Sequence, residues 1–103
     1  MIHNTKKVPH YNLEEIKLLI AKRQYIIRKI AIDNAQCDFD FRPKDIIENI
    51  LNLQNNNFYK SMTSEYDNKI WQDVYHLLID NEEAYIKLQI IDENSVIIQF
   101  KRK

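Results

Sequence analysis

The spacing of the hydrophobic residues changes near residue 58. Before that point apolar side chains recur every three or four positions, which is typical of helices that bury one face. After it they alternate with polar side chains, which indicates strands that bury one side. The pattern predicts helices over 12–22 and 43–53, and strands over 58–64, 70–79, 84–91 and 95–101. Helices followed by a mainly antiparallel sheet predict an α+β fold, with the N-terminal helices packed on the C-terminal sheet.

Local signals refine the helical part. Asn12 stands three residues before Glu15, an arrangement that begins many helices. Pro43 suits the first turn of the second helix. Between these helices, residues 25–35 fit a short strand followed by another helix, and the run of asparagines at 55–57 is predicted to be a loop.

Length and composition favour one domain with one modest core. The chain has 103 residues, of which 45% are hydrophobic, so we expect a single domain over 1–103, with a helical part at about 12–53 and a sheet part at about 58–101. No apolar stretch reaches 18 residues, so no membrane-spanning helix is predicted. The single cysteine, Cys37, cannot form an internal disulfide, which fits the cytoplasm, and its small side chain is expected to be buried.

The charges are balanced overall but not along the chain. The formal net charge is zero, which argues against a general nucleic-acid binder or a DNA-binding regulator. Residues 1–30 nevertheless carry seven Lys and Arg against two acids, whereas residues 31–103 carry eight against thirteen. A local basic surface is therefore possible, although solvated helix faces would give the same count.

The chain contains no glycine. Its turns must therefore use Asn and Asp, which tolerate the left-handed backbone region better than other residues. Asp67-Asn68, Asp80-Asn81 and Glu93-Asn94 lie at the breaks between the predicted strands.

The last two strands have a predictable register. Burial of one face fixes the parity of the pairing, because a slip of one residue would move every side chain to the other face. The parity that matches the apolar sets pairs Ile91 with Ser95, Lys87 with Gln99 and Tyr85 with Lys101, across a three-residue loop at 92–94.

The same argument gathers polar side chains on one face of the sheet. Through the turn at Asp80-Asn81, Gln72 and His76 share the face of Tyr85, while Trp71 and Tyr75 go with the core. A five-residue connection at 65–69 adds Lys60 to that face. The predicted set, which suits an anionic ligand, is Lys60, Gln72, His76, Tyr85, Lys87 and Lys101. Each lysine alone could also be a solvated strand residue, and His10 and His76 could be structural.

Two segments also resemble a known family. They are Phe58-Tyr59-Lys60-Ser61-Met62-Thr63 and Ile70-Trp71-Gln72-Asp73-Val74-Tyr75. With weaker matches near Pro9-His10, at 38–40, at 84–87 and at 96–101, they resemble the motility quorum-sensing regulator toxins, the MqsR family. Members are small messenger-RNA endonucleases of RelE-like fold.

This resemblance implies a toxin of a type II toxin-antitoxin system. Such a toxin cuts mRNA at short GC-containing sites without the ribosome, a metal or a cofactor, and so inhibits translation and growth until an MqsA-like antitoxin neutralises it. The family's catalytic positions fall on Lys60, Gln72, Tyr85 and Lys101. We add, as residues expected to contact RNA, Phe58, Tyr59, His76, Lys87 and Arg102.

The chain departs from the family at one place near the predicted site. The basic, proline-containing stretch usual after the Val-Tyr pair is His76-Leu77-Leu78 here. An inactive homologue that only binds antitoxin or RNA is therefore the alternative. No binding to membranes, or to DNA by the protein alone, is expected.

Overall fold

A six-stranded sheet forms the centre of the computed structural model, which describes residues 4–65 and 67–103. In chain order the described strands and α-helices are β1 Thr5–Lys6, α1 Leu13–Ala21, β2 Tyr25–Ile27, α2 Lys29–Phe39, α3 Pro43–Leu51, β3 Phe58–Thr63, β4 Trp71–Ile79, β5 Glu82–Ile91 and β6 Ser95–Arg102. A short 3-10 helix, Asn55–Asn57, lies before β3, where a loop was predicted. The strand order is β1-β3-β4-β5-β6-β2. The β2–β6 pair is parallel and the other four pairs are antiparallel. This is the predicted α+β fold.

The helices cover one face of the sheet, which we call the covered face. Its strands contribute alternate apolar residues that are completely buried, among them Tyr75, Ile86, Leu88 and Ile98. The helices supply the other half of the core from their apolar stripes: Leu13, Ile16, Leu19, Ile20, Ala31, Ala35, Ile46 and Ile50. The opposite face of the strands, which we call the open face, is left free of α1 and α3 and carries mostly polar side chains.

Asp and Asn take positive φ in several turns, as predicted, although Arg23 and Glu93 do so too. Asp80 and Asn81 both have positive φ, at 48° and 68°, and they form a two-residue loop between the paired residues Ile79 and Glu82. In the loop at 92–94 it is Asp92 and Glu93 that take positive φ. The backbone amide of Lys69 donates to the Asp67 carboxylate at 2.9 Å, which closes the β3–β4 connection.

A buried carboxylate holds the N-terminal segment against the sheet. Asp73 of β4 is completely buried. It accepts hydrogen bonds from the backbone amides of His10, at 3.0 and 3.1 Å, and Tyr11, at 2.9 Å. The Tyr11 hydroxyl donates to the carbonyl of Trp71 at 2.8 Å. Asp73, which the sequence did not single out, is thus a structural residue.

Several expectations about individual residues can now be assessed. The four long strands and the helices at both predicted places are confirmed, and Asn12 accepts a hydrogen bond from the Glu15 amide. The strands β1 and β2 extend the sheet beyond the four long strands. Cys37 is exposed, so its predicted burial is wrong. Trp71 is only partly buried and stacks on the His10 ring at 5.4 Å instead of joining the core cluster.

Candidate active site on the open face of the sheet

The open face brings the predicted polar side chains together. Val74 of β4 lies opposite Lys60 of β3 on one side and Lys87 of β5 on the other. Two residues further along β4, on the same face, His76 pairs with Tyr85, which in turn pairs with Lys101. The predicted pairs of Tyr85 with Lys101, Lys87 with Gln99 and Ile91 with Ser95 are confirmed. Five of the predicted polar residues therefore share one surface with Val74, across three antiparallel strand pairs.

A bulge in β3 takes Phe58 off this face, while Lys60 keeps the register set at the β3–β4 connection. Phe58 pairs with Tyr75, yet the next paired residues are Lys60 and Val74, so Tyr59 is the extra residue. Without the bulge, Phe58 and Lys60 would point to the same side. With it, Phe58 packs edge-on against Tyr75, with ring centroids 5.6 Å apart, and joins the core.

Aromatic rings connect the lysines across the face. The Tyr59 and His76 rings stack with centroids 4.3 Å apart, and His76 lies 5.6 Å from Tyr85. Lysine ammonium groups flank this row: Lys60 Nζ is 5.4 Å from the Tyr59 centroid, and Lys101 Nζ and Lys87 Nζ are 5.2 and 5.9 Å from the Tyr85 centroid. At these distances cations are attracted to ring faces, which favours lysine side chains that lie over the sheet.

Burial changes the proton affinity of two groups in the row. Burial raises the pKa of Tyr85, with a smaller contribution from Tyr59. The Tyr85 hydroxyl is therefore protonated at neutral pH and can donate a hydrogen bond. Burial also lowers the pKa of Lys87, helped by the positive charges of Lys101 and Lys60 and opposed by Glu65. Lys87 thus gives up its proton more readily than an ordinary lysine.

His76 adds an uncharged ring to the row. Its Nδ1 lies 3.2 Å from a Glu83 carboxylate oxygen, while its Nε2 is buried without a hydrogen-bond partner among residues 4–65 and 67–103. Burial and the charge of Lys103 lower the His76 pKa, against an opposing effect of Glu83. A neutral His76 contributes packing rather than positive charge to the open face.

A groove runs along the same surface. One part, of about 290 Å³, is lined by Tyr85 and Lys101. The other, of about 570 Å³, is lined by Gln72 and also by Gln89, whose side chain accepts a hydrogen bond from Gln72 Nε2 at 3.0 Å. Both parts share Ile30, Lys87 and Gln99, so they are continuous. The first turn of α2, which carries Ile30, forms one wall.

Two predicted RNA contacts lie elsewhere. Phe58 belongs to the core, so the structure does not support its stacking against a base. Arg102 follows Lys101 in β6 and therefore points to the other side of the sheet, where it forms an ion pair with Glu82 at 3.4 Å. Tyr59 stays on the open side, but its ring is already contacted by His76 and by Lys7 Nζ, at 4.7 Å.

Gln89 and Gln99 are candidate functional residues that the sequence reasoning left out. Their alternation with apolar neighbours had already placed them on the polar face, so the signal was present.

Within the described part of the chain, no three His, Cys, Asp or Glu side chains cluster closely enough to hold a metal ion. None of its helices is long and apolar enough to cross a membrane.

Comparison with known proteins identifies the family. The family model described as motility quorum-sensing regulator, toxin of MqsA, matches residues 8–102. The chain belongs to the MqsR toxin family. It is also 35% identical over 101 residues to the mRNA interferase toxin MqsR of Escherichia coli (strain K12), a match that covers 95% of this chain and 98% of that protein. The helices and mostly antiparallel sheet are consistent with a RelE-like toxin. The four positions to which the resemblance assigned catalysis therefore all lie on the open face of this MqsR-family protein.

Proposed function

We propose that the protein is the toxin of a toxin-antitoxin system and acts as an mRNA endoribonuclease, with the open face of the sheet as its active site. Family membership and the related mRNA interferase support the activity. The observation that carries the choice of site is that the four implied catalytic positions, Lys60, Gln72, Tyr85 and Lys101, lie on one face of the sheet. Three of them, Gln72, Tyr85 and Lys101, line the groove. The retention of all four favours an enzyme over an inactive binding module.

The chemistry needs no group other than the RNA and these side chains. The 2′-oxygen attacks the adjacent phosphorus and its proton passes to a non-bridging phosphate oxygen. The bond to the 5′-oxygen breaks, the 5′-oxygen takes up a proton, and a 2′,3′-cyclic phosphate and a 5′-hydroxyl remain. The intermediate phosphorane carries extra negative charge, which pre-positioned cations stabilise. Lys60 and Lys101 flank the aromatic row from β3 and β6, and we assign this electrostatic role to them.

The roles of Tyr85, Lys87 and Gln72 are assigned from how readily each side chain holds or gives up a proton. Tyr85 remains protonated because burial raises its pKa, so it donates a hydrogen bond to a phosphate oxygen rather than acting as a base. Lys87 has a lowered pKa and lies where the two parts of the groove meet, so it can protonate the leaving 5′-oxygen. This extends the sequence prediction, which gave Lys87 RNA binding only. Gln72 cannot transfer a proton efficiently, so it orients the 2′-hydroxyl or a phosphate oxygen.

The proposal includes a partner and a location. An MqsA-like antitoxin is expected to neutralise the protein, and the cytoplasm, where mRNA is found, is the expected compartment. We also propose that cleavage is independent of metal ions and of the ribosome and occurs at short GC-containing sites, because the resemblance to the family implies these properties.

The experiment is cleavage of a long mixed-sequence RNA by purified protein in excess chelator, with mapping of both new ends. Discrete cuts with cyclic-phosphate ends are expected. Lys60→Ala and Tyr85→Phe should each slow cleavage by about 100-fold, the effect of removing one group that stabilises a transition-state charge. Arg42→Ala removes an exposed charge from the N-terminal end of α3 and is the control. Intact RNA with folded wild-type protein would refute the enzyme and favour the binding module.

A further inference from the structure

The larger part of the groove contains a cluster of amide side chains beside the proposed catalytic groups. We call it the glutamine pocket; among the residues that line it are Arg28, Ile30, Ile70, Gln72, Gln89 and Gln99. Its volume of about 570 Å³ is in the range of small-molecule sites, which span about 300–1,000 Å³. Lys87 lies at the boundary between this pocket and the part that holds Tyr85 and Lys101.

Gln89 is a buried polar side chain held in one orientation. It is 7% exposed, and its Oε1 accepts the hydrogen bond from Gln72 Nε2. Its own amide nitrogen donates to no residue among 4–65 and 67–103 and is not enclosed, so it can reach a ligand. The pocket therefore offers a fixed donor, and Gln99 adds a second amide from the neighbouring strand.

The rest of the pocket alternates between apolar and charged surface. Ile30 and Ile70 are exposed aliphatic side chains, 62% and 37% accessible, and both contribute to the walls. Arg28 and Lys87 add positive charge, and Glu65 adds a carboxylate. A ligand that fits would be flat and apolar on its faces, with several donors and acceptors at its edge.

We infer that the glutamine pocket binds one unstacked nucleobase next to the scissile phosphate, and that Gln89 and Gln99 determine which base is accepted. This inference rests on the proposed function, since it takes the phosphate to lie over Lys60, Lys87 and Lys101. Proteins that read single-stranded RNA extrude bases and hydrogen-bond their edges with side chains such as these. An amide presents one acceptor and two donors, so a fixed amide favours the base edge that complements it.

The test uses RNA that the protein cannot cleave. In 2′-O-methyl hexanucleotides the attacking 2′-hydroxyl is blocked, so binding is measured apart from catalysis. Four hexamers carry A, C, G or U at one central position within an otherwise all-uridine sequence. The variants are Gln89→Met and Gln99→Met, which keep side-chain length while removing the amide. Gln36→Ala, an exposed glutamine of α2 outside the pocket, is the matched control.

Wild-type affinities should differ by about tenfold between the best and worst central base, the scale of one well-placed base contact. Each pocket variant should reduce that difference to about twofold, while Gln36→Ala leaves it unchanged. Equal affinities for all four hexamers, or unchanged discrimination in both pocket variants, would overturn the inference.

A parallel cleavage assay on mixed RNA separates this inference from the proposed function. If wild-type protein cuts RNA but its discrimination does not depend on Gln89 or Gln99, the base site is wrong and the enzyme stands. If the hexamers are discriminated through these glutamines but no RNA is cut, the base site stands and the enzyme is wrong.

Discussion

The two faces of one sheet serve different purposes in this protein. Ile86 and Lys87 are neighbours in β5, yet Ile86 is completely buried under the helices while Lys87 is half-buried in the groove. The covered face holds the fold together by apolar burial, which is proportional to area and non-directional. The open face carries cations, amides and aromatic rings whose value depends on their positions. Because side chains alternate along a strand, stability and chemistry can be altered separately by choosing residues of one parity.

Each face contains residues that break its pattern, and one on each face is informative. Val74 is completely buried on the open face, between Lys60 and Lys87. Lysine stems commonly lie along apolar surface, so Val74 gives these two side chains a floor. Asp73 is completely buried on the covered face, where its carboxylate holds the backbone of His10 and Tyr11. The face that carries the chemistry contains an apolar support, and the face that carries stability contains a polar one.

The largest expected effect is a difference in the free energy of unfolding between variants at two adjacent residues of β5. Ile86→Ala should reduce the free energy of unfolding by about 2–5 kcal/mol, because it removes buried methyl groups and leaves a cavity. Lys87→Ala should change it by less than about 1 kcal/mol while strongly reducing cleavage. Urea unfolding of both variants measures this contrast. Similar losses of stability would show that the open face is also part of the core.

A smaller effect is expected at the buried carboxylate. Asp73→Asn retains one acceptor but loses the charge that strengthens the bonds to His10 and Tyr11, so we expect a loss of about 1–3 kcal/mol in the free energy of unfolding. Asp33→Asn is the control, because its ion pair with Lys29 is exposed on α2 and such pairs contribute about 0–1 kcal/mol. Equal and small losses in urea unfolding would contradict the structural role of Asp73.

The smallest effect concerns pH. The folded protein lowers the pKa of His76, by burial first, and that of His10, by burial and then by Lys6. The unfolded chain therefore binds more protons just below pH 6.5, so the free energy of unfolding should fall as the pH decreases from about 7.5 to 5.5. His76→Gln should make this decrease shallower. A pH-independent urea midpoint over that range would show that neither histidine is held in its neutral form.

The sequence predicted those strands in which apolar and polar side chains alternate over enough residues to set the register. The β5–β6 register followed from apolar residues at every second position and a three-residue loop, and each of its three predicted pairs is confirmed. The short strand and helix that fitted residues 25–35 are found as β2 and α2. The strand β1 was not predicted, because its two residues are too few for any alternation to be visible. Cys37 was misplaced because the buried stripe of α2 runs through Ala31 and Ala35, and a residue two positions further lies on another side.

Lys60 was placed on the open face from the sequence, whereas Phe58 lies on the covered face because of one irregularity in β3. Regular alternation would have kept Phe58 and Lys60 on the same side, and only the bulge at Tyr59 separates them. The glutamine pocket was missed for another reason. Its apolar wall comes partly from Ile30 of α2, and no strand pattern predicts which helix side chain will border a sheet face.

The most direct test of the account compares two adjacent cations of β6. Lys101 lies on the open face beside Tyr85, and Arg102 lies on the other side, paired with Glu82. Lys101→Ala and Arg102→Ala each remove one positive charge from the same strand, and both should remain folded. The measurement is the rate of cleavage of one RNA by each variant. We expect Lys101→Ala to be about 100-fold slower than wild type and Arg102→Ala to stay within about threefold. Equal losses in both variants would show that net charge near the C-terminus, rather than the open face, determines the activity.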